Sequence, residues 1–326
     1  MSTKKITFAI PTYNSEKTIA ECLHHLLLMK YPKEELEILI HDGGSNDLTK
    51  EIISEYEKEN HCIRIIPGQT GNKSRSRNRM IKEAKGTIII PFSAHVNCDP
   101  LLAKIIEEKF KEYNTAAIGF PNITPNQNII GNAIGSAVQG FFAGGTTTTF
   151  TQNAQFAKEK FVDHMPFTAY KKEVFDKIGL YDEDIQNGED AELNIRLKKA
   201  GMKLLYTPET FVKHHKPTTL RKLFIKMIRY GIARSKIIKK HPDTNSILYI
   251  IPQIFVITLI IFLGLLALQL FPIQLGILAG GGYALMSMIS SFTKSKNPLY
   301  AVLSIIIYPT IHIGYGVGLL YENTKW

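Results

Sequence analysis

Two adjacent carboxylates, Glu189 and Asp190, follow Asn187-Gly188 and open a run in which Leu193, Leu197 and Ala200 fall on one helical face. That spacing puts both acids in the first turn of an amphipathic helix, where the backbone dipole favours the ionised form. An ionised carboxylate aimed into a cleft can take a proton from a hydroxyl, although the same pair would also serve as a plain helix cap. Upstream stand four more polar or glycine-rich stretches: Thr12 to Glu16, Asp42 to Asp47, Gly68 to Arg79, and Ser93-Ala94-His95. Asp42 can accept hydrogen bonds from a base or ribose, and Lys73, Arg75, Arg77 and Arg79 offer cations for a diphosphate. The plain alternative for the basic run is a solvated helix face.

These stretches recur after apolar runs of strand character. Ile6–Ile10, Leu36–Ile40, Cys62–Ile66 and Thr87–Phe92 read as strands, separated by helices over 18–29, 48–59 and 76–84. A helix over 101–113, a strand over 116–120, a helix over 128–142, and strands over 168–170 and 204–207 follow. Strands alternating with helices predict an α/β domain with a mostly parallel, Rossmann-like sheet, in which ligands collect at the carboxyl ends of the strands. All four upstream stretches sit there, which makes one nucleotide pocket the economical reading. The loop Gly144-Gly145 to Thr149 is expected to be part of an acceptor pocket, a lid or a linker.

The formal net charge of +10 admits nucleic acid, anionic lipid or a phosphorylated substrate as partner. Its distribution decides. Apolar residues at helical spacing from Leu220 to Ile228 alternate with Arg221, Lys222, Lys226 and Arg229, then Arg234, Lys236, Lys239 and Lys240, which predicts a basic amphipathic helix on lipid headgroups over 219–246. Three apolar runs follow, at about 247–270, 273–291 and 300–320, each near the roughly 20 residues a bilayer core requires. Lys294 and Lys296 lie between the second and third. The positive-inside bias therefore predicts a cytoplasmic domain over 1–218 and a C terminus, at Trp326, outside. No aromatic-interleaved basic surface argues for nucleic acid. No cleavable signal peptide is expected at the N terminus. Cys22, Cys62 and Cys98 are scattered and read as packing residues in a reducing compartment.

Taken together, Ala9-Ile10-Pro11-Thr12-Tyr13-Asn14-Ser15-Glu16, Asp42-Gly43-Gly44-Ser45-Asn46-Asp47, Gly188-Glu189-Asp190 and Arg229-Tyr230-Gly231 with Arg234 resemble family 2 glycosyltransferases, inverting enzymes of GT-A fold that use nucleotide sugars. With Lys171 to Phe175 and the trailing apolar runs, the chain is most similar to membrane enzymes of succinoglycan-type exopolysaccharide assembly. The resemblance implies that Pro11, Tyr13 and Glu16 frame the nucleoside, that Asp42 contacts the base or ribose, and that Asp190 is the general base with Glu189 orienting the loop or acceptor; Lys73, Arg75 and Ser93 are expected to complete the donor site. It places Arg229 and Arg234 beside a diphosphate or a lipid-linked or glycan acceptor. It gives His95 and His215 to a divalent cation, Mg²⁺ or Mn²⁺. One departure stands out: the family's Asp-x-Asp, often Asp-Ala-His in succinoglycan-type members, is Ser93-Ala94-His95 here, and a serine cannot replace the carboxylate's charge. An alternative role follows from that loss, a catalytically impaired nucleotide-sugar-binding partner in a glycan assembly complex.

Overall fold

The computed structural model describes residues 4–125, 127–143, 158–214, 217–244, 247–270 and 272–324, so the Gly144 to Thr149 loop, His215 and Trp326 lie outside the described residues. The chain divides into two compact units, one of residues 1–123 and 149–215, the other of 124–148 and 216–326. Residues 124–148 thus group with the C-terminal helices.

In the first unit the strands β1 (Ile6–Thr12), β2 (Leu36–Asp42), β3 (Ile63–Ile66), β4 (Ile88–Pro91), β6 (Ala117–Gly119), β8 (Lys160–Val162), β9 (Thr168–Lys171) and β10 (Leu204–Tyr206) form one sheet in the order β3-β2-β1-β4-β9-β6-β10-β8. Pairing is parallel across β3-β2-β1-β4 and between β6 and β10, while β9 runs antiparallel to both neighbours and β8 antiparallel to β10. Alternation along the strands splits the core. Ile6, Phe8, Ile10 and Ile38 pack on α1 (Ile19–Leu27), α2 (Thr49–Glu59) and α4 (Leu102–Glu112), whereas Ala9, Leu39 and Ile89 pack on α3 (Lys73–Glu83), α6 (Glu173–Ile178) and α7 (Glu189–Lys199). Burial on both faces is why these strands read as largely apolar runs without strict alternation. A second, three-stranded sheet, β5 (Val96–Cys98), β11 (Val212–His214) and β7 (Asn122–Ile123), was not foreseen; its strands are too short and polar to carry a periodic signal. The three cysteines are buried free thiols, and burial pushes Cys22 up to about 12, as a packing role requires.

The second unit holds α5 (Ile129–Gln139), α8 (Leu220–Lys240), α9 (Ile247–Ala267), α10 (Ile273–Ser295) and α11 (Pro298–Asn323). Ala133, Ile134 and Ala137 of α5, Leu223 and Met227 of α8, and Ile307, Tyr308 and Ile311 of α11 form its core. Glycines let α8 and α11 touch along their backbones. A side chain at Gly231 would strike the Tyr315 carbonyl, and one at Gly314 would press on Phe224 and Met227. The apolar stripe of α8 therefore packs on α11. At its far end Ser235 Oγ lies 2.5 Å from Asn323 Oδ1, and Lys239 Nζ donates to the Glu322 carbonyl at 2.9 Å. By length and composition α10 and α11 can each cross a membrane, while the apolar stretch Ile251–Ala267 of α9 is shorter.

Candidate functional site

The loops after β1 and β2 are stitched into one surface. Asn14 N donates to Ser45 Oγ at 2.8 Å, Ser15 N to Thr49 Oγ1 at 2.7 Å, Gly43 N to the Thr12 carbonyl at 2.7 Å, and Leu48 N to Glu16 Oε2 at 3.2 Å. Asn14 itself takes a left-handed φ of 46°, which asparagine tolerates. At the centre Asp42 accepts from Gly44 N at 3.1 Å, Ser45 N at 2.9 Å, Ser45 Oγ at 2.5 Å and Thr12 Oγ1 at 3.3 Å. Burial works against its charge, but these hydrogen bonds from Ser45, Gly44 and Thr12 hold the carboxyl below the usual range. Asp42 is thus a fixed anion at the carboxyl end of β2. Tyr13, 60% exposed, stands free on the same loop surface, with Pro11 half-buried at the end of β1.

The basic run proves to be a scaffold for the carboxylate loop. Asn72 caps α3 by accepting from Arg75 N and donates from its own amide to the Glu183 carbonyl at 2.8 Å. Ser74 Oγ donates to the Ile185 carbonyl at 3.0 Å, and Asn78 exchanges hydrogen bonds with the Tyr181 backbone, both at 2.8 Å. Four residues apart on one helical face, Lys73 and Arg77 both reach Glu189 Oε1, at 2.8 and 2.6 Å, and Arg75 on another face pairs with Glu183 at 2.9 Å. Glu189 is 2% exposed and its second oxygen accepts from Gly188 N at 2.9 Å. Burial alone would raise it, yet Lys73 and Arg77 hold it far below the ordinary carboxylate range. Three of the cations expected to serve a diphosphate, Lys73, Arg75 and Arg77, are therefore engaged with acids of this loop.

Asp190 follows, half-buried in the first turn of α7, with Leu193 and Leu197 seated in the core behind it and Ala200 exposed just past the helix end. Burial raises its pKa, the fixed negative charge of Glu189 raises it further, and His164, Lys73 and Arg77 oppose the rise. Two neighbouring acids are thereby driven apart, one locked ionised and the other moved toward the working range of a base. Sequence reasoning missed His164, which lies in a turn of no repeating pattern. It contacts Asn194 Nδ2 at 3.1 Å, and Asn194 in turn accepts from Tyr170 Oη at 2.8 Å.

Ser93 closes β4 with its carbonyl accepting from Val96 N at 3.1 Å, leaving His95 exposed in the turn. Because β5 and β11 pair antiparallel, the ring of His95 comes within 5.2 Å of the ring of His214, centroid to centroid; His215, which the resemblance assigns to the cation, lies outside the described residues. Among the described residues no three His, Cys, Asp or Glu side chains form a metal cage. Imidazole is a donor type that a divalent ion accepts, Mn²⁺ more readily than Mg²⁺, so His95 and His214 are the candidates that would hold one. Arg229, exposed, and Arg234, half-buried, lie on α8 in the helical unit.

Comparison with known proteins matches this architecture. A mannosyltransferase from Pyrobaculum calidifontis, solved with GDP-Man and Mn²⁺, superposes with a TM-score of 0.69 at 13% identity over 99% of this chain and 88% of that one. The dolichyl N-acetyl-α-D-glucosaminyl phosphate 3-β-D-2,3-diacetamido-2,3-dideoxy-β-D-glucuronosyltransferase of Methanococcus voltae is 29% identical over 98% of this chain and 99% of its own length. The succinoglycan biosynthesis protein ExoA of Rhizobium meliloti is 24% identical over 96% and 93%. The profile of glycosyl transferase family 2 covers residues 7–179, from the first strand through the helix before the carboxylate loop, and the chain belongs to that family of glycosyltransferases.

Proposed function

We propose that this glycosyltransferase moves a sugar, with inversion, from a nucleotide-sugar donor to a lipid-linked or nascent glycan acceptor at the cytoplasmic face of a membrane, in cell-surface polysaccharide or glycoconjugate synthesis. The observation that carries the reading is the splitting of Glu189 and Asp190: a half-buried carboxyl with a raised pKa beside one kept ionised by Lys73 and Arg77. Asp190 takes the proton of the acceptor hydroxyl as its oxygen attacks the anomeric carbon, and the nucleoside diphosphate departs from the opposite face with the bonding electron pair. The surface made by Pro11, Tyr13, Glu16 and Asp42 holds the nucleoside, with Asp42 as acceptor for base or ribose hydroxyls. His95 and His214 would hold the divalent ion, which when bound neutralises charge on the departing diphosphate. Arg229 and Arg234 serve a diphosphate or the acceptor.

The membrane part of the reading rests on exposed apolar surface. Ile260 is 62% exposed, Ile277 70% and Leu278 72%, far beyond the scattered apolar exposure of a soluble surface. From Thr244 to Thr293 there is no Asp, Glu, Lys, Arg or His. The lipid-linked acceptor is also consistent with the dolichyl phosphate substrate in the name of the Methanococcus relative.

A screen of UDP- and GDP-sugars with extracted lipid acceptor, with and without EDTA, tests the reading. Turnover with at least one donor is expected; tight nucleotide binding without any turnover would favour the donor-binding partner that Ser93 brings to mind. His95→Ala is expected to raise the Mn²⁺ concentration for half-activation by at least about tenfold. An unchanged Mn²⁺ titration would remove His95 from the cation. Asp42→Ala, which frees Ser45, Gly44 and Thr12 of their common acceptor, is expected to weaken donor affinity by about tenfold or more, read as a donor Kd by calorimetry.

A further inference from the structure

We propose that α11 does not cross the membrane, and that its end returns to the side of α8, leaving α9 and α10 as the crossing elements. The inference rests on the membrane reading above and concerns the helical unit alone. Helix α8 carries Arg221, Lys222, Lys226, Arg229, Arg234, Lys236, Lys239 and Lys240, and it runs in the same direction as the second half of α11. The contacts step along both helices together: Phe224 and Met227 meet Gly314, Ile228 meets Gly318, Gly231 meets Tyr315 and Leu319, and Ser235 meets Asn323. If residues 314–323 of α11 traversed hydrocarbon, α8 would accompany them and carry its cations to the same depth, which is strongly disfavoured. Laid at headgroup level, the pair instead presents those cations to anionic lipid.

The exposed apolar surface points to the same division. It is greatest over the second half of α9 and the first half of α10, where Ile260, Ile261, Leu263, Ile273, Ile277, Leu278 and Leu285 are all exposed. Among the described residues nothing lies within 4 Å of a side chain placed at Gly264, Gly280, Gly281 or Gly282. Helices α9 and α10 meet each other there, Gly276 against Phe262, and Phe255 stacked on Tyr283 at 5.3 Å. At 21 and 23 residues they are about 31 and 35 Å long, enough for a hydrocarbon core of about 30 Å. By contrast the second half of α11 packs on α8 and α9 through Gly314, Gly316 and Gly318, and Tyr308 donates to the Ala137 carbonyl of α5, while Leu299, Val302 and Ile306 in its first half are exposed.

Three single cysteines in the full-length membrane protein test the topology with a membrane-impermeant maleimide: Thr324→Cys at the end of α11, Gln269→Cys between α9 and α10, and Lys222→Cys on α8. In intact cells Gln269→Cys is expected to react, while Thr324→Cys and Lys222→Cys react only after permeabilisation. Reaction of Thr324→Cys in intact cells would overturn the proposal, as would protection of Gln269→Cys there. A Ser235→Cys, Asn323→Cys pair is expected to cross-link on mild oxidation of the same membranes, and failure to do so in the folded protein would count equally against it. Release of the parent chain by alkaline carbonate would instead sink the membrane reading itself, so the two failures are distinguishable.

Discussion

Asp190→Asn is expected to lower kcat by about 10²–10⁴-fold while leaving the donor Kd within about threefold of the parent, because the amide keeps the shape of the side chain but cannot take a proton. Steady-state kinetics with the best donor, paired with calorimetric donor binding, measures both. A loss of only a few-fold in kcat would remove Asp190 from the role of base. The pH profile adds a sign. The base must be ionised, so activity falls as pH falls through its pKa, and burial together with the Glu189 carboxylate moves that pKa above the ordinary carboxylate value of about 3.9. Glu189→Gln withdraws the neighbouring negative charge and leaves Lys73 and Arg77 to favour an ionised Asp190. The acid limb of kcat/KM is therefore expected to move to lower pH in Glu189→Gln; a limb that stays or moves upward would separate Glu189 from the tuning of Asp190.

Whether such a pair existed was legible in the sequence, but how it is held was not. Gly188-Glu189-Asp190 before a Leu193–Leu197 face specifies a helix start, and the helix indeed begins at Glu189. The apolar runs at Ile6, Leu36 and Ile88 became parallel strands because both their faces are buried, a pattern that local composition records. Local composition does not record partners. The run from Lys73 to Arg79 announces its charge but not that α3 would turn Lys73 and Arg77 onto Glu189, a residue more than a hundred positions away. In the same way the approach of the His95 and His214 rings depends on the register of β11 against β5, which sequence alternation over three residues cannot fix. The amphipathic pattern over 220–240 specifies a one-faced helix, but periodicity does not say what that face meets, and here it meets the glycines of α11.

The largest expected effect on stability belongs to Arg77. Its Nη1 lies 2.6 Å from Glu189 Oε1, both side chains are buried, and the guanidinium sits 5.3 Å from the centre of the Tyr181 ring. Arg77→Met fills similar volume but leaves a buried carboxylate with Lys73 as its one remaining cationic partner among the described residues. Removing one member of a buried ion pair costs about 3–5 kcal/mol. Because Lys73 still compensates from a half-exposed position, the lower end, about 3 kcal/mol, is expected. For a domain of about 150–250 residues this lowers Tm by about 6–12 °C by calorimetry. Adding Glu189→Gln to Arg77→Met is expected to return much of that loss, since neither buried charge then remains uncompensated. A single variant within about 2 °C of the parent, or a double variant no better than the single one, would show that the pair does not hold the carboxylate loop. The pH dependence follows from the direction of the Glu189 shift. With its folded pKa depressed, Glu189 contributes stability above the unfolded value of about 4.3 and loses it only as pH falls through the much lower folded value. Arg77→Met lets that folded value climb back, so the variant's stability deficit is expected to be large at neutral pH and to shrink toward pH 4 and below, as the carboxylate that Arg77 had stabilised becomes protonated.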